Sequence, residues 1–131
     1  MTSKLGESLL TTPDSQPSTG RARALLLADI ISDTPARDTI VLDIHELSPF
    51  TDYFVITAGA NERQLRAINR TIADRMAEVG VRPHRSEGAP SSGWIVLDFG
   101  DVLVHIFSEE LREFYRLEDL WAEAPTLLAI Q

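Results

Sequence analysis

The stretch that decides the fold of this chain is Trp94-Ile95-Val96-Leu97-Asp98-Phe99-Gly100-Asp101-Val102-Leu103-Val104-His105-Ile106-Phe107. Two runs of β-branched and aromatic residues flank Gly100-Asp101. A glycine at the first turn position supplies the positive φ that a two-residue type II′ hairpin needs. Because side chains alternate between the two faces of a strand, this turn also fixes which residues share a face. The sequence therefore predicts a β-hairpin with one defined register.

The two faces of the predicted hairpin differ in chemistry. One is wholly apolar and is expected in the core: Phe99 faces Val102, Leu97 faces Val104, and Ile95 faces Ile106. The other mixes aromatic rings with an acid and an imidazole: Asp98 faces Leu103, Val96 faces His105, and Trp94 faces Phe107. This second face either packs beneath a helix or forms a wet interface for a partner. Asp98 favours exposure, because a buried carboxylate needs a compensating partner.

Composition places the chain among ordinary globular domains. It has 131 residues, 44% hydrophobic and 24% charged, which suits one domain with its own core. It has no cysteine, which excludes disulfides and thiolate zinc sites and agrees with a reducing cytoplasm. No apolar run is long enough to span a membrane. We therefore expect a cytoplasmic protein without a membrane contact.

The net charge of −8 argues against a general binder of phosphate backbones, DNA included. The charge is uneven along the chain, because residues 59–93 hold six bases and four acids, whereas residues 94–131 hold two bases and eight acids. A basic middle on an acidic protein favours a steered protein contact over a nucleic-acid groove. Arg63, Arg66 and Arg70 follow one another at helical spacing. They form either a solvated face or a contact with RNA or an acidic partner.

Periodicity along the chain predicts a mixed five-stranded sheet with flanking helices, an α/β fold. Residues 1–18 are rich in Ser, Thr and Pro and are expected to be a disordered tail. The domain is expected to cover residues 19–123, with 124–131 as a C-terminal tail. Its predicted elements are a helix over 19–33, strands over 39–44 and 52–58, a helix over 61–79, an edge strand over 81–87, the hairpin, and two short helical pieces that meet near Arg116-Leu117.

No group of residues in the sequence predicts an active site, a metal site or a cofactor. Asp52 begins its strand alone, with Phe54 where a second metal-binding acid of a nucleotidyl-transfer enzyme would stand. His45, His84 and His105 fall on separate elements without the spacing of a metal-binding helix. No serine lies in a Gly-x-Ser-x-Gly elbow. The sequence favours a protein that is not an enzyme.

Several segments together resemble the ribosomal silencing factor family, RsfS or Iojap, over about residues 21–122. They are Asp52-Tyr53-Phe54-Val55-Ile56 with the following Gly59, Arg82-Pro83 with Glu87-Gly88, the whole stretch from Trp94 to Phe107, and Phe114-Tyr115-Arg116-Leu117-Glu118-Asp119-Leu120-Trp121. The resemblance implies a fold similar to that of nucleotidyltransferases but without their catalytic acids. That implication agrees with the missing partner of Asp52.

The resemblance also implies a function. Members of the family bind a small β-barrel protein of the large ribosomal subunit on its intersubunit face, prevent the subunits from joining and silence translation when nutrients are short. Self-association is implied as well. The positions that match the contact or its support are Trp94, Ile95, Asp98, Phe99, His105 and Tyr115. Two of these, Ile95 and Phe99, conflict with the hairpin register, which places them on the core face. The alternative function is a nucleotide-using transferase with a degenerate metal site.

Overall fold

The computed structural model describes residues 20–131. The predicted N-terminal tail, residues 1–18, lies outside the described residues. The helices and strands, numbered in chain order, are α1 (Gly20–Ile31), β1 (Arg37–Asp43), β2 (Tyr53–Gly59), α2 (Glu62–Glu78), β3 (Arg85–Ala89), β4 (Trp94–Asp98), β5 (Val102–Ser108), α3 (Glu109–Tyr115), α4 (Leu117–Leu120) and β6 (Thr126–Ile130), with a 3₁₀ turn at Pro90–Ser92 between β3 and β4.

The strands form one mixed sheet in the order β3-β4-β5-β2-β1-β6. Only β2 and β5 pair in parallel, and the four other pairings within residues 20–131 are antiparallel. The predicted mixed α/β fold is confirmed, but the described chain has six strands rather than five. The sixth, β6, comes from the segment expected to be a C-terminal tail, and it pairs with β1. The prediction missed β6 because a run of five apolar residues does not by itself indicate a strand. Its assignment depends on the free edge of β1, with which it pairs.

The predicted hairpin is confirmed with its register. Trp94 lies opposite Phe107 and Leu97 opposite Val104, and the Phe99 amide donates to the Val102 carbonyl at 2.9 Å. Gly100 has φ +90, the conformation that makes glycine necessary at this turn. The apolar face of the hairpin is buried, as its pattern predicts.

Helices α1 and α2 cover that apolar face. Asn61 caps α2 by accepting from the Gln64 amide at 2.9 Å, while the Gln64 side chain accepts from the Ala60 amide at 2.8 Å. The two bonds satisfy backbone donors that a helix start leaves free. Gly80 follows the helix with φ +79. The residues that α2 buries against the sheet recur at spacings of three and four: Leu65, Ile68, Ile72 and Met76.

Helices α3 and α4 cover part of the opposite face. The Ser108 hydroxyl caps α3 by accepting from the Leu111 amide at 3.1 Å. Arg116, with φ +46, separates α3 from α4, so the predicted break near Arg116-Leu117 is confirmed. A second core cluster lies beneath these short helices and includes Phe54 and Phe107. No helix within residues 20–131 has the length and apolar character of a membrane span.

Candidate partner-binding surface

Trp94 is half-buried at the start of β4, on the face that α3 and α4 cover only in part. Its ring stacks on Phe107 with centroids 4.8 Å apart and contacts the Tyr115 ring at 4.9 Å. Its indole N–H donates to Nδ1 of His105 at 3.2 Å. Two ring contacts and one hydrogen bond therefore hold the indole in place, and the remainder of the ring faces solvent.

His105 is the polar residue beneath this tryptophan. Its side chain is 6% exposed, and its ring meets the Phe54 ring edge-on at 4.7 Å. Because Nδ1 accepts from Trp94, the proton of the neutral imidazole lies on Nε2, and Nε2 has no hydrogen-bond partner within residues 20–131. Burial lowers the pKa of His105 to about 4. His105 is therefore neutral near pH 7 and serves as a fixed acceptor for the indole.

A groove of about 340 Å³ opens beside the indole, and we call it the aromatic groove. It is lined by Glu87, Gly88, Ser92, Trp94, Val96, Leu111 and Tyr115. Tyr115 is 46% exposed and the neighbouring Phe114 is 74% exposed. Aromatic side chains such as these are enriched at protein-contact surfaces.

An ion pair holds the two short helices that frame the groove. Arg112 Nε donates to Glu118 Oε2 at 2.9 Å, and the Arg112 side chain is 12% exposed. The pair joins α3 to α4 across the left-handed turn at Arg116. It therefore fixes the angle at which α3 presents Tyr115 beside Trp94.

The comparisons with known proteins agree with the resemblance of the sequence. Residues 17–131 match the family described as ribosomal silencing factor during starvation, RsfS. The chain belongs to the RsfS family. This RsfS-family protein is 38% identical over 100 residues to the ribosomal silencing factor RsfS of Bacillus subtilis. The aligned region covers 76% of this chain and 85% of that protein. It is 34% identical over 96 residues to RsfS of Zymomonas mobilis, and the aligned region covers 73% of this chain and 72% of that protein.

Two solved structures share the fold of this RsfS-family protein. A crystal structure of a protein from Chromobacterium violaceum has a TM-score of 0.75 and 29% identity, covering 79% of this chain and 87% of that one. A crystal structure from Bacillus halodurans has a TM-score of 0.72 and 31% identity, covering 82% of this chain and 98% of that one.

The structure brings four of the six predicted contact residues of this RsfS-family protein to one face of the sheet: Trp94, Asp98, His105 and Tyr115. Asp98 lies at the far end of β4, where its Oδ1 accepts from the Gly100 amide at 2.8 Å and so supports the turn. Ile95 and Phe99, each 1% exposed, lie in the core on the opposite face. Their burial agrees with the hairpin register and favours the supporting role over direct contact, so a partner contact at these two positions stays a prediction.

Sequence reasoning missed five of the seven residues that line the aromatic groove: Glu87, Gly88, Ser92, Val96 and Leu111. Val96 could have been found, because the register places it two residues from Trp94 on the same face. Glu87 requires the pairing of β3 with β4, in which it lies opposite Val96. Leu111 requires knowledge of how α3 packs on the sheet. A pattern of alternating residues does not predict strand pairing or helix packing between segments that are distant in the sequence.

The residues considered for metal chemistry lie apart. Asp52 is exposed before β2, while Phe54 is 6% exposed within the second core cluster. Within residues 20–131, no three His, Cys, Asp or Glu side chains group closely enough to hold a metal ion. His45 pairs with the Asp43 carboxylate at the other end of the sheet from Trp94, and this hydrogen bond raises the pKa of His45.

Proposed function

We propose that this protein is a cytoplasmic ribosomal silencing factor. It binds a protein of the large ribosomal subunit on the intersubunit face, blocks joining of the two subunits and represses translation under nutrient limitation. It acts by occupying space, and it uses neither a cofactor nor DNA. The observation that carries the proposal is the half-buried indole of Trp94, held on a partly covered sheet face in a chain of the RsfS family.

The geometry around Trp94 favours an interface anchor. Binding orders side chains, and each one immobilised costs about 0.5–1.5 kcal/mol. The indole avoids most of that cost, because Phe107, Tyr115 and His105 already hold it in the free protein. Tryptophans at the centre of an interface commonly contribute about 2 kcal/mol or more.

The charge around the surface favours a basic partner. Residues 94–131, which supply most of the aromatic groove, carry eight acids and two bases. A surface of this sign increases the rate of association with a positively charged protein. Phe114, an apolar side chain beside the groove that is 74% exposed, supplies area for the contact and for the self-association that the family resemblance implies.

The test is sedimentation of the protein with purified large ribosomal subunits. Trp94→Ala is expected to lower affinity at least about thirtyfold, taking 2 kcal/mol as the lower bound for a central anchor. The matched control is Phe50→Ala, which removes an aromatic ring that is 90% exposed in the loop before β2. Because β2 and β5 are parallel, this loop lies at the opposite end of the sheet from Trp94. Normal binding by a folded Trp94→Ala variant would contradict the proposal.

A further inference from the structure

Helix α2 carries a basic groove that the proposed function does not use. Arg63, Arg66 and Arg70 surround a shallow depression of about 260 Å³ whose floor is formed by Ala67 and Thr71. A helix turns 100° and rises about 1.5 Å per residue, so the three Cα atoms lie within about 60° of arc and about 10 Å along the axis. The three exposed arginine side chains therefore line the same depression.

The charges in the basic groove are largely uncompensated. Among residues 20–131, neither Arg63 nor Arg70 has an ion pair, and Arg66 lies 3.7 Å from Glu62. Elsewhere the chain has eight arginines, of which Arg21 and Arg82 also have no ion pair within residues 20–131. Carboxylates lie 2.7–3.5 Å from six of them: Arg23, Arg37, Arg75, Arg85, Arg112 and Arg116. The contrast distinguishes the basic groove from an ordinary salt-bridged surface.

The geometry points to the basic groove as a phosphate-binding site that contacts the backbone of ribosomal RNA on the large subunit. Guanidinium groups bind phosphate oxygens through two parallel hydrogen bonds, and small floor residues allow a backbone to approach closely. The contact is local, since the net charge of −8 repels a polyanion from the rest of the protein. This inference rests on the proposed function, which brings the protein to the subunit and so raises the effective concentration of RNA at the groove.

The basic groove and the aromatic groove lie on opposite sides of the sheet. Helix α2 packs on the core face with Ile95, whereas Trp94 points to the face under α3. One molecule therefore binds a protein with one side and RNA phosphates with the other. The two contacts are also separable by mutation, because no side chain lines both grooves.

The test is the salt dependence of binding to purified large subunits, measured by sedimentation at about 50 and 200 mM salt. Each phosphate contact contributes a slope of about −0.7 to −0.9 in log affinity against log salt, so three contacts contribute about −2 to −3. The native protein is expected to lose about twenty- to fortyfold more affinity over this range than Arg63→Gln/Arg66→Gln/Arg70→Gln. The matched control is Arg21→Gln/Arg82→Gln/Arg85→Gln, which removes the same charge from exposed positions elsewhere. Equal slopes for the native and groove variants, or an equal effect of the control, would overturn the inference.

A photo-crosslink separates RNA from an acidic protein. Ala73 is exposed one turn beyond Arg70, so Ala73→p-benzoylphenylalanine places the reactive group beside the basic groove. An adduct on the large subunit that ribonuclease removes supports the inference. A protein adduct, or none, overturns it. Failure of the proposed function gives a different result, because the native protein then does not sediment with the large subunit at all.

Discussion

Acid should destabilise this protein through His105. Burial lowers the pKa of His105 to about 4 in the folded protein, whereas the unfolded chain has the ordinary value near 6.5. The unfolded state therefore takes up the proton first as the pH falls. The contribution of His105 to stability is complete above about pH 6.5 and is lost as the pH falls towards 4. Two and a half pKa units correspond to about 3 kcal/mol in total, of which about 2 kcal/mol is lost between pH 7 and pH 5.

The assay is urea unfolding of the native protein and of His105→Asn at pH 7 and pH 5. Asparagine does not titrate, and its amide oxygen stands near the place of Nδ1, where it accepts from the Trp94 indole. Asp43 and His45 also have shifted pKa values, but both are present in the two proteins and cancel in the comparison. The native protein should lose about 2 kcal/mol more than the variant over this range. Identical pH dependence in the two proteins would refute a buried, neutral His105.

Three further predictions concern stability. Trp94→Phe keeps the stack on Phe107 but loses the hydrogen bond to His105. Denaturant unfolding should show that its free energy of unfolding falls by about 1 kcal/mol, whereas that of Trp94→Ala falls by about 2–3 kcal/mol. Equal losses would contradict the packing of the indole. Gly88→Ala should prevent a native circular dichroism spectrum or lower the melting temperature severely, because φ is +86 and the new Cβ would lie 2.0 Å from the Trp94 carbonyl oxygen. Gly80→Ala, with φ +79 and open space around it, should cost only about 1–2 kcal/mol, and equal effects of the two glycine variants would contradict the pairing of β3 with β4. Deletion of residues 126–131 should lower the melting temperature by several degrees, since it exposes the edge of β1, and an unchanged value would contradict a sixth strand.

The parts of the fold that could be predicted from the sequence are those that local chemistry determines. The turn at Gly100-Asp101 and the alternation around it determine the hairpin register. Asn61 and Gly80 define the ends of α2 to within one or two residues. By contrast, β6 depends on an edge more than 80 residues away in the chain, which no local pattern specifies.

The candidate site was less predictable than the fold. The family resemblance identifies positions in the chain, but it does not state which face of the sheet each side chain occupies. The hairpin register does specify that face, and it correctly places Ile95 and Phe99 in the core. The sequence could not predict that α3 and α4 cover only part of the sheet face that carries Trp94. Both helices are short, and their packing depends on the Arg112–Glu118 ion pair.

We propose that the aromatic groove keeps the ribosomal subunits apart. The most direct measurement is the fraction of purified large and small subunits that sediment together after the protein is first incubated with the large subunit. The native protein should reduce the joined fraction in proportion to the large subunits it occupies. Folded Trp94→Ala, at the same concentration as the native protein, should leave the fraction close to its value without protein. A native protein that saturates the large subunit while joining proceeds normally would contradict the account.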